Sequence, residues 1–384
     1  MAEDRGRRLD STPCVTGMAF STPLGDDIEA VWQRLLDGQH GFRKLAERAR
    51  LRSELVAMVP DVDPDLPPAE RQLVLSARSL RAALADAGVA PDDPGVRLVL
   101  GTSYGDHLDT GADSLYRWAA ASAERIGHPH EPLSVTTACS AASDSIAVGA
   151  EMIRSGQCEI CVCGGADIVT LAKRLGHSAL GTMTADTLRA FDANRSGMLL
   201  GEGAAFLVLE SLASARGRAA PIHAVLRGWG SSNDAHGMTA PDPAGHSVTA
   251  AIRRSLSGSG LTRSDVAVVS AHGTGTPVND AVEAASLTAV FADQAGPVVY
   301  ATKGALGHSL GACGAIEAVT LIVALRDHTV PPVCNLVTPM PGSRLRLPDG
   351  RPLGFDGSVG ISLTLGFGGF NTALLFSGPE YAHD

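Results

Sequence analysis

Three short segments of this chain place reactive side chains at strand-to-helix turns. In Val135-Thr136-Thr137-Ala138-Cys139-Ser140 a strand-like run ends at a cysteine and a small-residue helix follows. A thiol at a helix N-terminus faces free N–H groups and the positive end of the dipole, which favours its thiolate. In Ala271-His272-Gly273-Thr274-Gly275-Thr276 a histidine follows a buried-strand pattern, and the glycines admit a ligand close to the backbone. In Thr302-Lys303-Gly304-Ala305-Leu306-Gly307-His308-Ser309-Leu310-Gly311 a second histidine stands where a strand hands over to another small-residue helix. Singly, each signal is weak. A buried structural cysteine reads as well as a nucleophile at Cys139, and a single histidine near a strand end is more often a satisfied core residue. Together, a thiol and two imidazoles at equivalent turns make a nucleophile with two potential proton-bearing partners.

Those residues need elements to hold them. Residues 15–22 read as a strand and 24–38 as an amphipathic helix. Residues 70–88 form a stronger helix, with Leu73, Ala77, Leu80, Ala83, Leu84 and Ala87 on one face and Gly88 as its stop. Residues 96–101 and 133–137 read as strands, and 140–156 as a small, apolar helix. Residues 160–162 read as a strand closed by Gly164 and Gly165, and 204–209 as another strand. The second half repeats the order: strands at 266–270 and 298–302, a small-residue helix at 310–325, then strands at 360–364 and 372–376 around a glycine loop. The pattern predicts an α/β protein of two similar halves, 1–215 and 216–384, joined near Ser211 to Pro221. The thiol lies in the first half and both imidazoles in the second, so the site would form where the halves meet.

Composition limits what such a site can serve. The 384 residues carry 31 Lys plus Arg against 41 Asp plus Glu, a net charge of −10. That argues against non-specific nucleic-acid binding, which needs a basic footprint. Apolar residues make up 45% and charged residues 19%, which excludes a disordered chain. The 43 glycines exceed the usual share of about 7%, and many fall in loops around the proposed site. The cysteines number seven, an odd count, and Cys158-x-x-Cys161-x-Cys163 has no second matching pair for a zinc site. Its setting reads as a buried strand. Met1 to Pro13 is polar and carries no signal-peptide core, and no run of apolar residues is long enough to span a membrane. A cytoplasmic protein with reduced thiols is expected.

The ordered motifs resemble those of the β-ketoacyl-ACP synthases, condensing enzymes of the thiolase fold. The resemblance runs from about Val15 to Phe376. It includes "VTGMAFSTPLGDDIEAVWQRLLDG", "TACS" around Cys139, "GGAD" at Gly164, "FDANRSGMLLGEGAAFLVLE", "AHGTGTPVNDAVEA", "TKGALGHSLGACGAIEAV" and "GFGGFN" from Gly366. It implies a layered αβαβα arrangement with Cys139 as nucleophile and His272 and His308 as the paired histidines of the branch that elongates carrier-bound chains. It further implies that Lys303 fixes the network, with Glu283 as its carboxylate partner. Phe367 would be the gating phenylalanine, its N–H forming an oxyanion hole with that of Cys139. Thr274 and Thr276 would bond the pantetheine arm. The implied reaction is decarboxylative condensation of a Cys139-bound acyl chain with a malonyl thioester, with no metal, nucleotide or flavin cofactor.

Departures from the family pattern bear on substrate and partner. Tyr104 stands in "GTSYG" where an aliphatic or small residue faces the family's acyl pocket, so a shorter or reshaped pocket and a Tyr104 turned away are equal readings. The stretch between Gly105 and Leu133 is shorter than usual. Phe370 stands where fatty-acid enzymes carry Thr, and "GFGGF" looks more like the ketosynthase subunits of type II polyketide systems, which pair with a chain-length-factor subunit. An acyl carrier protein is the implied partner, in a homodimer or such a heterodimer. Arg195 matches a position near the tunnel mouth and is the expected carrier-docking residue. The cluster Arg43, Lys44, Arg48, Arg50 and Arg52 reads better as a solvated face. Primary fatty-acid elongation, a non-elongating acyltransferase and a non-catalytic partner subunit are the alternatives.

Overall fold

The structure, a computed structural model, describes residues 11–111, 114–291 and 296–383. The polar N-terminal stretch therefore lies outside the described residues up to position 10. The first half supplies strands β1 (Pro13–Ser21), β2 (Val96–Gly101), β3 (Leu133–Val135), β4 (Ile160–Asp167) and β5 (Gly203–Ser211). The second supplies β6 (Ala224–Asn233), β7 (Val268–Ser270), β8 (Val298–Tyr300), β9 (Val359–Gly366) and β10 (Phe370–Ser377). Each strand lies at the same place in its half as the strand five numbers earlier. The sheet order is β3-β2-β4-β5-β1 and then β6-β10-β9-β7-β8. Parallel and antiparallel pairings repeat with the order: β2 runs parallel to both neighbours, as does β7, while β5 and β10 are antiparallel to theirs. A short antiparallel contact, Cys14 with Val225 and Val15 with Ala224, joins the halves into one ten-stranded sheet.

Eight helices matter to the layers: α1 (Ile28–Leu36), α2 (Pro68–Asp86), α3 (Arg117–Ile126), α4 (Ala141–Arg154), α5 (Leu171–Ala179), α6 (His246–Leu256), α7 (Pro277–Val290) and α8 (Cys313–Asp327). Helix α2 covers the outer face of β1 and β5, and α6 covers β6 and β10. Helices α4 and α8 touch each other between the halves, α4 on β2 and β4, α8 on β5 and β9. Buried on all sides from Cys313 to Leu325, α8 is apolar round its circumference apart from Glu317 and Thr320. Small residues make that close packing feasible: a Cβ at Gly314 would sit 2.0 Å from Ser143 Oγ, and one at Gly311 would sit 2.3 Å from the Ser103 nitrogen.

Two local expectations are corrected. Gly164 and Gly165 do not close β4 but lie inside it, because a Cβ at Gly164 would collide with the Ala205 carbonyl of β5. The first helix begins at Ile28 rather than Leu24, since Asp27 caps it by accepting the Ala30 N–H at 2.8 Å. None of the seven cysteines is disulfide-bonded. Cys161 and Cys163 are fully buried strand residues, as expected of small hydrophobes. Among the described residues no helix is long and apolar enough to cross a membrane.

Candidate active site

The repeated topology places the reactive side chains. Cys139 follows β3 and precedes α4; His308 follows β8 and precedes α8, the equivalent turn of the other half. Both turns contain a non-glycine residue in the left-handed region, Ala138 at φ 52° and Leu310 at φ 50°. Such conformations are costly and persist where the surroundings enforce them. His272 follows β7, which lies between β9 and the edge strand β8. The Cys139 sulfur and one ring nitrogen each of His272 and His308 lie within 4.8 Å of one another. The two rings meet edge to face with centroids 5.2 Å apart. All three side chains are almost wholly buried, yet they open onto a cavity of about 230 Å³ also lined by Thr274, Thr276, Phe367 and Asn371.

Hydrogen bonds assign each imidazole a tautomer. The Leu310 N–H donates to His308 Nδ1 at 3.1 Å, so the ring proton sits on Nε2. Lys303 Nζ lies 3.2 Å from His272 Nδ1 and donates to the His272 carbonyl at 2.7 Å. An ammonium donating to Nδ1 likewise leaves the proton on Nε2. Burial, the Lys303 charge and the neighbouring ring push His272 well below the usual imidazole range; burial, Lys303 and His177 do the same to His308. The site therefore holds two neutral N–H donors beside a thiol.

Lys303 is the charge that organises this pair. Burial pulls its ammonium down, but the Glu317 carboxylate bonded to it outweighs burial and holds it charged. This corrects the expected pairing with Glu283. Glu283 instead accepts the backbone N–H groups of His272 at 2.6 Å and Gly273 at 2.9 Å, and burial raises it to about 8. It shapes the loop of His272 from behind and donates nothing to the cavity. Glu317 was readable as the single acid within the apolar run of α8, because a buried carboxylate needs a cation.

The thiol itself departs from expectation. Burial raises Cys139 to about 11, and the Phe367 N–H bonded to its sulfur and the Lys303 charge only partly offset this. The helix terminus does not by itself make Cys139 a ready thiolate. That same Phe367 N–H stands beside the reacting sulfur, where an oxyanion donor is required. Three hydroxyls converge on Asp144 behind the cysteine turn: Thr137 at 2.5 Å, Ser140 at 2.7 Å and Thr372 of β10. Asp144 so ties the nucleophile turn to the strand leaving the Phe367 loop, a role no sequence signal announced. Asp167 does similar work on the other side, accepting Ser103 N–H at 2.9 Å and Gly311 N–H at 3.0 Å.

The remaining expected residues divide. The Thr274 and Thr276 hydroxyls are 3.0 Å apart on the cavity wall. Arg195 does not line the cavity, but its guanidinium donates to the carbonyls of Asp192 at 3.0 Å and of Pro277, a lining residue, at 3.2 Å. Tyr104 does not line the cavity; it is 48% exposed, because Asp167 fixes Ser103 inward and the chain then turns at Gly105. Phe370 is absent from the lining too. It opens β10, so strand alternation points it away from the face of Asn371, and its ring lies on Gly368.

Comparison with known proteins agrees with this geometry. Residues 13–215 match the family model described as Beta-ketoacyl synthase, N-terminal domain, and residues 223–337 match the one described as Beta-ketoacyl synthase, C-terminal domain. The chain is 33% identical to a Mycobacterium leprae protein named 3-oxoacyl-(acyl-carrier-protein) synthase 2, over 94% of this chain and 95% of that one. A solved structure titled the ishigamide ketosynthase/chain length factor superposes with a TM-score of 0.87 at 31% identity, covering 96% of this chain and 99% of its own. A β-ketoacyl synthase from Burkholderia phymatum superposes with a TM-score of 0.86 at 27% identity and the same coverage.

Proposed function

The chain belongs to the β-ketoacyl synthase family of acyl-transferring condensing enzymes with the thiolase fold, and on that premise we propose that Cys139, His272 and His308 carry its reaction. The carrying observation is the pair of neutral Nε2–H donors aimed into one cavity beside the thiol. An acyl thioester on a carrier protein enters over Thr274 and Thr276. The Cys139 sulfur attacks its carbonyl, the oxyanion rests on the Cys139 and Phe367 N–H groups, and the carrier thiol leaves with the cysteine proton. A malonyl thioester then places its carbonyl oxygen between His272 and His308. Loss of CO₂ leaves the electron pair as an enolate, which the two N–H donors stabilise at about 3 kcal/mol each. The enolate carbon attacks the Cys139 acyl carbonyl, the carbon–sulfur bond to Cys139 breaks, the released thiolate takes up a proton from solvent, and the β-ketoacyl carrier departs. This scheme uses no metal or organic cofactor.

The pathway reading is a type II polyketide or specialised fatty-acyl system. It is supported by the "GFGGF" segment at Phe370 and by the likeness to a structure titled as a ketosynthase with its chain length factor. Primary fatty-acid elongation is the second reading, favoured by the name of the Mycobacterium leprae relative. Intact-mass measurement on the chain alone and with a chain-length-factor-like partner tests both levels. An acyl adduct on Cys139 followed by a two-carbon extension on the carrier is expected; an adduct without extension, or no adduct, refutes condensation. Full activity of the chain alone as a homodimer refutes the paired polyketide reading.

The rim guanidinium of Arg195 is the carrier-docking group in this scheme, since carriers are acidic. Replacing Arg195 by Glu should raise KM for the carrier-bound substrate about tenfold, most at low salt, with kcat little changed. Unchanged KM for carrier-bound substrate across salt concentrations would remove Arg195 from the docking surface.

A further inference from the structure

The basic segment from Arg43 to Arg52 is solvated, as expected, but most of its charges are also unpartnered. It belongs to a two-stranded ribbon, Phe42–Lys44 paired with Leu55–Ala57, and the loop between these strands. Five cations and two acids lie between positions 43 and 54, in a chain whose net charge is −10. One buried guanidinium of α5 engages both acids: Glu47 pairs with Arg174 at 3.2 Å, and the Glu54 carboxylate acts on the same charge. Arg43, Lys44, Arg48 and Arg50 are left exposed, and their side chains have no hydrogen-bond or ion-pair partner among the described residues. Like charges held together without counter-charges repel, and an anionic partner relieves that repulsion.

The ribbon is fastened to the wall of the cavity. The Arg52 backbone N–H donates to Ser178 Oγ at 3.2 Å, and its guanidinium donates to the Met183 carbonyl at 2.8 Å. Met183 directly follows Gly181 and Thr182, both of which line the cavity. Farther along the ribbon, the Ala57 N–H donates to the Leu200 carbonyl at 2.9 Å, and Leu200 pairs in turn with His308. The ribbon therefore borders the cavity beside α5, as Arg195 borders it at Pro277. A thioester arm that reaches Cys139 brings the body of its carrier onto this rim, and carriers are acidic. We propose that the ribbon from Arg43 to Arg52 is a second docking surface for the acidic acyl carrier, acting together with Arg195. This rests on the condensing reading above and adds to it the surface that the carrier's acidic face occupies. Each exposed pair contributes little, so the set acts as a field, strong at low salt and screened at high salt.

The test uses the double variant Arg48→Glu, Arg50→Glu, whose side chains have no partner to lose. Two donors carry the same hexanoyl group, one a type II acyl carrier protein and the other free pantetheine, and Cys139 acylation is followed by intact mass. The double variant should raise KM for the carrier-bound donor about tenfold at low salt with kcat little changed, and the difference from wild type should shrink as salt rises. KM for hexanoyl-pantetheine should keep its wild-type value, which a damaged site would not allow. Arg48→Lys, Arg50→Lys keeps the charge and should behave as wild type with both donors. An unchanged KM for the carrier-bound donor across salt concentrations overturns the proposal and leaves the condensing reading intact. Equal losses with both donors overturn it as well, because they place the segment in the fold rather than at the carrier. Absence of any adduct from either donor in the wild type overturns both readings.

Discussion

Replacing His308 by alanine is expected to leave acyl transfer to Cys139 nearly intact and to slow condensation about a hundred- to a thousandfold. The asymmetry follows from where charge develops. In the proposed scheme the acyl-transfer oxyanion forms on the acyl carbonyl, against the backbone N–H groups of Cys139 and Phe367, and His308 takes no part. In decarboxylation the charge forms on the extender thioester oxygen, where the His308 Nε2–H is one of two donors. Losing one well-placed donor in a water-excluded site costs about 3 kcal/mol of transition-state stabilisation. The tautomer is enforced by the Leu310 N–H, itself held in a left-handed conformation, so the donor exists before substrate arrives. Single-turnover mass spectrometry separates the steps: adduct formation should keep its wild-type rate while two-carbon extension falls. Equal losses in both steps would place His308 in thiol activation instead and would refute the division of labour.

How legible this site was depends on the kind of interaction concerned. The repeat of strands and helices was readable because both halves obey the same hydrophobic periods, and the ten-stranded order follows it except at β6, which no predicted strand covered. The meeting of Cys139, His272 and His308 was readable because all stand just past strand ends, those of Cys139 and His308 equivalent in the repeat and that of His272 on the neighbouring strand. What stayed hidden depends on three-dimensional register. Glu283 and Glu317 both lie on helices following a histidine segment, and only the rotation of α7 and α8 decides which reaches Lys303. The raised Cys139 thiol was hidden too, since position at a helix start says nothing of burial. Tyr104 shows the same limit from the opposite side: family position suggested a pocket, but the anchoring of Ser103 by Asp167 sends it outward.

Replacing Lys303 by methionine should have the largest combined effect, and a second substitution should split it into two parts. Methionine matches the stem of lysine but leaves Glu317 buried without its cation. Removing one partner of a buried pair costs about 3–5 kcal/mol. Methionine also removes the donor that holds His272 in its Nε2–H tautomer, and the positive charge that helps keep that ring neutral. Adding Glu317→Gln discharges the stranded carboxylate and should restore most of the lost stability. It cannot restore the His272 tautomer, so condensation should stay at least about tenfold down in the double variant although the protein folds. With the lysine charge gone, His272 shifts back toward the ordinary range near 6.5. The sign is fixed: burial, the larger cause, still disfavours the imidazolium, but with the lysine charge gone His272 takes up its proton at a higher pH than in the wild type, so an acid limb of kcat should appear at higher pH in both variants. Denaturation midpoints and pH–rate profiles on the two variants provide the check. Recovery of wild-type condensation in the double variant would mean that Lys303 serves the fold alone. Persistent loss together with a new titrating limb is the signature of a residue that positions His272.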